Sequence, residues 1–209
     1  MKIITLSDHL KEIYGTKVYK LSLQSGCSCP NRDGTLSYGG CIFCSEGGSG
    51  DFAAPLLPLK EQLRLAKARV EAKLPKNRAA EEQKYIAYFQ SYTNTYGPVE
   101  HLEALYREAL AQPEIVALSL GTRPDCLPDE MLAMLRRLRE ESGKDIWIEL
   151  GLQSIHEATA ERIHRGYPLA VFEDAYRRLK AADFTVIVHV ILGFPWETED
   201  DMLATIRYL

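Results

Sequence analysis

The sequence predicts an α/β protein with one parallel sheet, built from five strand–helix units. Apolar runs of strand length alternate along the chain with segments whose apolar residues recur at helical spacing. The strands are nearly continuous in apolar character, as expected when helices cover the sheet. This alternation favours parallel strands joined by right-handed crossovers, and no repeat of solenoid period competes with it.

The elements of the first half each have their own signal. After a short amphipathic start, residues 17–24 form the first predicted strand. Helix 58–74 begins with a proline, which the first helical turn tolerates. Strand 84–92 is rich in aromatic residues, and the helix at 99–111 ends before Pro113.

The second half continues the alternation. Strand 115–122 precedes helix 128–142, which Gly143 follows as an expected cap. Thr198 and Asp201 form an expected N-terminal cap pair for the last helix. The other predicted elements are strand 145–154, a helical stretch at 156–164, helix 169–182, strand 184–194 and the last helix, which begins near Trp196.

Composition predicts a single globular domain. The chain has 209 residues, 46% of them hydrophobic, and a net charge of -4, which gives no general footprint for nucleic acid or anionic membrane. No apolar run approaches the roughly 20 residues of a membrane span, and the N-terminus lacks a signal-peptide core. We therefore expect a cytoplasmic protein with no membrane partner. We divide it into an N-terminal extension, residues 1–16, and a core domain, residues 17–209, and expect that a longer chain supplies a further strand.

Four of the five cysteines lie between Ser25 and Gly50. Cys29, Cys41 and Cys44 form C-x11-C-x2-C, and the C-x2-C pair lets two thiolates reach one metal centre, which neighbouring glycines allow the backbone to approach. Clustered cysteines in a reducing compartment favour metal ligation or catalysis over disulfides. The spacing alone leaves iron–sulfur, structural zinc and redox dithiol open. A three-cysteine set would leave one iron of a cubane free for another ligand.

Four motifs carry a resemblance to a known family. They are CPNRDGTLSYGGCIFC in the cysteine loop, GTRPDCL after the third strand, IELGLQSIHEATAERIHRGY around the fourth and VIVHVILGFPWET at the fifth. Together and in this order they resemble the radical S-adenosylmethionine superfamily. They resemble in particular the catalytic subunit of Elongator and, more closely, a bacterial subfamily that shares the CPNRDGT…GGCxFC loop. The resemblance runs from about Lys17 to the last residue.

The resemblance implies a partial (βα)6-type, TIM-like barrel with five units present and the last strand missing. It implies a [4Fe-4S] cluster held by Cys29, Cys41 and Cys44, whose unique iron binds S-adenosylmethionine. One electron from the cluster then splits the cofactor to a 5′-deoxyadenosyl radical, which removes a hydrogen atom from substrate. The protein positions the reactants and excludes water and oxygen. A flavodoxin- or ferredoxin-like protein is the expected one-electron reductant.

The resemblance also implies cofactor contacts. Phe43 matches a residue near the adenine, Gln153 a glutamine that contacts the ribose or methionine end, and His189 a polar ribose contact. Arg123 is a candidate partner of the cofactor carboxylate, with a salt bridge to Asp125 or Glu149 as the alternative. A histidine in an apolar strand is also typical of an ordinary core position.

The sequence departs from the family pattern at two places. Many members carry Gly-Gly-Glu after the second strand, where this chain has YFQSYTNTY, so that Gln90, Ser91 or Tyr92 is expected to substitute. Elongator-like relatives have a glutamate where this chain has Gly121. Both departures concern the anchoring of the methionine moiety. Two further cysteines, Cys27 and Cys126, are interpreted as small packing residues.

The substrate is the least determined part of the prediction. The subfamily resembles enzymes linked to tRNA wobble-uridine side chains, where the implied task is conversion of a carboxymethylaminomethyl group to aminomethyl. Residues 67–78 form a basic segment, for which charge patterning favours a solvated helix face over an RNA contact. The alternatives are a radical enzyme acting on a small metabolite and a non-enzymatic, zinc-stabilised scaffold.

Overall fold

Five parallel strands form one open sheet in the order of the chain. The computed structural model describes residues 4–71 and 83–209. The strands lie side by side in the order β1-β2-β3-β4-β5, and every neighbouring pair is parallel. Their bounds are β1 Val18–Leu23, β2 Lys84–Phe89, β3 Ile115–Thr122, β4 Asp145–Gln153 and β5 Thr185–Val190. The predicted α/β class is confirmed, and the sheet is that of a partial TIM-like barrel.

Helices connect the strands as the apolar spacing predicts. Their bounds are α1 Leu6–Tyr14, α2 Leu59–Glu71, α3 Val99–Leu110, α4 Asp129–Ser142, α5 Glu157–Arg162, α6 Leu169–Ala181 and α7 Glu199–Tyr208. The last three residues of predicted helix 58–74 lie outside the described residues. A short 3-10 turn, Pro124–Cys126, precedes α4, and no sequence pattern predicts it. Within the described ranges, no helix combines the length and the apolar character that crossing a bilayer requires.

Both predicted helix caps are present. The hydroxyl of Thr198 accepts a hydrogen bond from the Asp201 amide, and the Asp201 carboxylate accepts one from the Thr198 amide, which is a capping box for α7. Helix α4 ends at Gly143, whose φ of 64° is left-handed and therefore favours glycine. These local signals fix the helix ends because a cap depends on neighbours in sequence.

The core lies where the sheet meets α3, α4 and α6. In strand β4, Ile148, Leu150 and Leu152 point to the same face of the sheet and are all fully buried. Helix α1 packs through Leu10 against a second small cluster that includes Val18 and Trp147. Residues 6–14 of the predicted N-terminal extension therefore contact the sheet, while the division into extension and core stays a prediction.

Two strands end earlier than their sequences predict. Strand β2 stops at Phe89 because the side chain of Asn94 donates hydrogen bonds to the carbonyls of Phe89 and Gly121, each at 2.9 Å, and ties the two strand ends together. Tyr92 then adopts a φ of 60°, which extended backbone excludes. Strand β5 stops at Val190, and its apolar continuation is a loop. The polar residues Gln90, Ser91 and Tyr92, which follow β2, therefore lie in a loop at the carboxyl edge of the sheet.

Candidate active site

All seven predicted site residues line one cavity at the carboxyl ends of the strands. This is the edge where parallel α/β folds build their sites. The cysteine loop enters from β1, while the other residues come from the ends of β3, β4 and β5. The seven are Cys29, Cys41, Phe43, Cys44, Arg123, Gln153 and His189.

Side chains of the cysteine loop donate hydrogen bonds to two of the three sulfurs. The amide of buried Asn31 lies 3.4 Å from the Cys41 sulfur and also donates to the His164 carbonyl at 2.7 Å. The Ser49 hydroxyl lies 3.5 Å from the Cys44 sulfur. Donors at a sulfur stabilise a thiolate, the form that binds iron. Asn31 therefore fixes Cys41 against the segment that follows α5.

The thiols of Cys41 and Cys44 shift each other's pKa in opposite directions. A hydrogen bond from the Cys41 thiol lowers the pKa of Cys44 to about 6, and the same bond, together with burial, raises the pKa of Cys41. Across residues 4–71 and 83–209, no three His, Cys, Asp or Glu side chains are close enough to hold one metal ion. The donor set nevertheless fits an iron–sulfur cluster, because three thiols line one cavity and two of them already receive hydrogen bonds.

The segment after β2 contributes two of its three expected residues to the cavity. Gln90 and Tyr92 line it. Ser91 does not; its hydroxyl is buried without a hydrogen-bond partner among the described residues, and it packs against Gly50 of the cysteine loop. Gln90 and Tyr92 therefore stay the predicted substitutes for Gly-Gly-Glu that reach the cavity. Gly121, which replaces a glutamate, also lines the cavity.

Arg123 forms the salt bridge predicted for it as an alternative, while its contact with the cofactor carboxylate stays a prediction. Its guanidinium pairs with both oxygens of Asp125, at 2.9 and 2.7 Å, so the predicted salt bridge is present. It also donates to the Arg165 carbonyl at 2.9 Å and lies 4.8 Å from the centroid of the Tyr167 ring. The same side chain lines the cavity with the three cysteines. A buried, fixed cation beside the sulfurs favours anionic ligands there.

Gln153 is held in a backbone conformation that few residues adopt. Its φ is 62°, and a left-handed residue other than glycine costs about 1–2 kcal/mol. The Tyr167 hydroxyl lies 3.1 Å from its side-chain oxygen. Strain of this kind clusters at binding sites because the surrounding structure must hold it in place. Gln153 also lines the cavity.

Glu149 is a site residue that sequence patterns do not reveal, except as an alternative partner of Arg123. Its side chain is only 2% exposed and lies among Lys20, Ser119 and His189. Burial alone would raise the pKa of this carboxyl, but hydrogen bonds from His189, Lys20 and Ser119 and the charge of Lys20 lower it to about 2. A single polar residue in an apolar strand gives no signal for such partners.

The depressed pKa of Glu149 predicts a pH-dependent stability. A carboxyl whose pKa is lower in the folded state stabilises the fold above its unfolded value of 4.5, and this contribution is lost as pH falls toward 2. Glu149→Gln should therefore lower the free energy of unfolding by about 3 kcal/mol at pH 7 and by only about 1 kcal/mol at pH 3. Urea unfolding of metal-free protein measures both. The exposed Glu140→Gln is the control, expected within about 0.5 kcal/mol at either pH, and an equal loss at both pH values in Glu149→Gln would contradict the linkage.

The other two cysteines lie outside this cavity. Cys27 is half-buried against the core, and burial raises the pKa of its thiol. Cys126 is buried in the 3-10 turn, where burial and the charge of Asp125 raise its pKa to about 12. Both positions agree with the packing role predicted for them.

The family follows from a comparison with known protein families. The model of the Radical SAM superfamily matches residues 29–209, from the first cysteine of the three-cysteine set to the end of the chain. The chain belongs to the Radical SAM superfamily. Members of this superfamily use a [4Fe-4S] cluster and S-adenosylmethionine. The cavity that collects the three cysteines is consistent with that chemistry.

Several curated proteins are similar to this Radical SAM chain. YtqA of Bacillus subtilis is 42% identical over 204 residues, which cover 97% of this chain and 61% of YtqA. YhcC of Escherichia coli K12 is 41% identical over 194 residues, 93% of this chain and 60% of YhcC. MJ0486 of Methanocaldococcus jannaschii is 36% identical over 204 residues, 96% of this chain and 60% of MJ0486. The chain thus spans about three fifths of the length of these relatives.

A solved structure shares the fold. The archaeal Methanocaldococcus infernus Elp3, with residues 1–46 deleted, superposes with a TM-score of 0.60 and 16% sequence identity. The alignment covers 91% of this chain and 41% of that one. The predicted likeness to the radical domain of Elongator's catalytic subunit is therefore confirmed at the level of the fold.

Proposed function

We propose that this chain forms the radical-generating core of an enzyme that modifies a tRNA wobble-uridine side chain. The observation that carries the proposal is the convergence of three cysteines and four cofactor-type residues on one cavity at the carboxyl edge of the sheet. When bound there, the cluster and S-adenosylmethionine supply a 5′-deoxyadenosyl radical that removes a hydrogen atom from substrate. The chain's own residues bind, orient and shield these groups.

The cysteine loop supplies the cluster ligands in this proposal. Cys29, Cys41 and Cys44 bind iron as thiolates, and Asn31 and Ser49 orient two of the sulfurs. Within the loop, the guanidinium of Arg32 donates to the Ser45 carbonyl at 2.5 Å. A loop fixed in this way holds its thiols for a cluster that must form and remain intact during reduction.

The remaining cavity residues hold the cofactor. Phe43 packs near the adenine, and Gln153 contacts the ribose or methionine end. Arg123 attracts the carboxylate of the cofactor while Asp125 keeps its guanidinium in place. His189 lines the same cavity from β5 and is not needed for these three contacts.

The tRNA substrate rests on the motif resemblance and on chemical fit. Removal of a hydrogen atom next to nitrogen, followed by loss of a carboxymethyl carbon unit, is a reaction that a carbon radical can begin. The described part of the basic segment gives little support for RNA binding, because Lys67 pairs with Glu114 and Arg69 donates to the Phe52 and Ala53 carbonyls. Residues 72–78 of that segment lie outside the described residues. RNA contacts elsewhere in the protein are part of this proposal.

Two measurements test the proposed function. Protein reconstituted without oxygen and incubated with dithionite and S-adenosylmethionine should release 5′-deoxyadenosine, and a flavodoxin- or ferredoxin-like donor should replace dithionite. Binding to unmodified and carboxymethylaminomethyl-bearing tRNA should weaken steeply with salt, since counterions are released at each phosphate contact. If the protein releases 5′-deoxyadenosine with a small metabolite and does not bind tRNA, its substrate is a small metabolite and the proposed tRNA substrate is wrong. Protein that contains zinc and no iron would refute the proposal that the chain is a radical enzyme.

A further inference from the structure

The inner face of the sheet carries five polar side chains, four of them around the carboxylate of the fifth. Each strand contributes one: Lys20 from β1, Tyr88 from β2, Ser119 from β3, Glu149 from β4 and His189 from β5. The Lys20 ammonium also lies 4.1 Å from the centroid of the Tyr88 ring. A buried ion pair contributes little net stability compared with apolar residues of the same size. Tyr88, Glu149 and His189 also line the cavity, and a charged cluster at the wall of a cavity favours a functional role.

The carboxylate of Glu149 is fully engaged. One oxygen accepts hydrogen bonds from the Lys20 ammonium and the Ser119 hydroxyl, and the other accepts one from His189 Nε2 at 2.7 Å. Because its pKa is lowered to about 2, Glu149 remains an anion and takes up no proton at neutral pH. Its negative charge is available only to orient and stabilise its partners.

This arrangement fixes the tautomer of His189. An ionised carboxylate only accepts hydrogen bonds, so Nε2 must carry the proton and Nδ1 of the neutral ring keeps its lone pair. Nδ1 has no hydrogen-bond partner within the described part of the chain, and the side chain is 47% exposed where it lines the cavity. A carboxylate that orients an imidazole and stabilises its protonated form is the device that serine hydrolases use to make a histidine a base.

We propose that His189 is the proton acceptor of this cavity and that Glu149 is its positioning residue. This role goes beyond the proposed function. It depends on the proposed function only for the radical that removes the hydrogen atom from substrate. The substrate class is a compound with an acidic N–H or O–H next to the carbon that loses its hydrogen atom. In the step, that N–H or O–H bond breaks, its electron pair stays on the substrate heteroatom, and a new Nδ1–H bond forms. The resulting imidazolium faces the Glu149 anion and releases its proton to water after product leaves.

The role differs from the ribose contact predicted for His189. A ribose contact needs one hydrogen bond and no neighbouring anion, whereas a base needs a fixed tautomer and charge compensation. Glu149 supplies both, and Lys20 and Ser119 keep Glu149 itself from becoming the base.

The tautomer is tested without any substrate. Nitrogen-15 NMR of histidine-labelled protein should show His189 with Nε2 protonated and Nδ1 bare in the wild type. Glu149→Gln should shift this form toward a ring protonated at Nδ1, because Lys20 can only donate and holds the amide oxygen, which leaves the amide NH2 facing Nε2. His156 is the internal control, since its ring contacts a backbone carbonyl outside the cavity and should not change. A wild-type His189 protonated at Nδ1 would overturn the proposal.

The catalytic role is tested with His189→Gln, whose side-chain amide can still donate to Glu149. The dissociation constant for S-adenosylmethionine should change less than threefold, while product formed per 5′-deoxyadenosine should fall about 100-fold or more. His156→Gln is the matched control and should leave both values unchanged. A tenfold or greater loss of S-adenosylmethionine affinity in His189→Gln would show that His189 contacts the cofactor, and the proposal that it is the proton acceptor would be wrong.

The two proposals fail separately. If wild-type protein releases 5′-deoxyadenosine but converts no carboxymethylaminomethyl-uridine RNA, the tRNA substrate is wrong. The tautomer and the cofactor affinity then still decide the role of His189. If the RNA is converted equally well by wild type and His189→Gln, the base is wrong and the tRNA substrate stands.

Discussion

Serine in place of Cys29, Cys41 or Cys44 should lower the iron and sulfide content of anaerobically reconstituted protein at least tenfold, with loss of the brown visible absorption. The physical reason is that a serine hydroxyl is far harder to ionise than a thiol and is a poor ligand for iron in such clusters. With three protein ligands for four irons, loss of one leaves too few anchors. Iron and sulfide assays with visible spectra measure the effect.

Cys27→Ser is the matched control for these variants. It makes the same chemical change two residues from Cys29, but Cys27 packs against the core and does not line the cavity. Its iron content should match that of the wild type. Loss of iron in Cys27→Ser together with retention in Cys29→Ser would show that the ligand set is wrong.

Gly48→Ala should disrupt the cysteine loop far more than an ordinary glycine substitution. Gly48 has a φ of 61°, and a Cβ there would lie 2.4 Å from the Tyr92 ring and 2.7 Å from the Tyr92 backbone nitrogen. The Tyr92 amide also donates to the Gly48 carbonyl at 3.0 Å, so the two segments cannot separate without losing this bond. We expect incomplete cluster incorporation and a lower free energy of unfolding, because the backbone of one segment must move.

Gly143→Ala isolates the steric part of this effect. Gly143 has nearly the same φ, 64°, but no atom outside its immediate chain neighbours lies within 4 Å of the position that a Cβ would take. In Gly143→Ala the free energy of unfolding should fall only by the cost of left-handed backbone, about 1–2 kcal/mol. In Gly48→Ala it should fall by about 1–3 kcal/mol more, because of the steric clash. Urea unfolding and iron content measure the two. Equal losses and normal iron in both variants would mean that the loop does not need this close contact.

Local patterns predict most of the fold. Strand β3 and the cap pair of α7 agree with their predictions to the residue, because apolar runs and capping side chains act over a few neighbouring positions. Strand ends are predicted less well. The side-chain amide of Asn94, which ends β2, donates a hydrogen bond to the Gly121 carbonyl, 27 residues away. The apolar periodicity of a segment cannot predict a contact between such distant residues.

The candidate site is predicted in part. Seven residues named from motifs line one cavity, although their individual roles stay predictions. Ser91, an expected substitute for the family's acidic motif, instead packs against Gly50. The sequence does not predict Glu149 as a site residue. The apolar pattern of β4 indicates only that its position is buried, and no neighbouring residue indicates a charge partner.

The alternation of strands and helices, the order of the cysteines and the helix caps are properties of adjacent residues, and the amino-acid sequence alone determines them. The surroundings of Glu149 are different. Lys20 lies 129 positions away and His189 40 positions away. Both reach the carboxylate only because the five parallel strands pair in chain order and each pair has a specific register. Strand pairing is a long-range choice made by the whole core, so only the tertiary structure could decide which polar side chains meet and which proton the imidazole keeps.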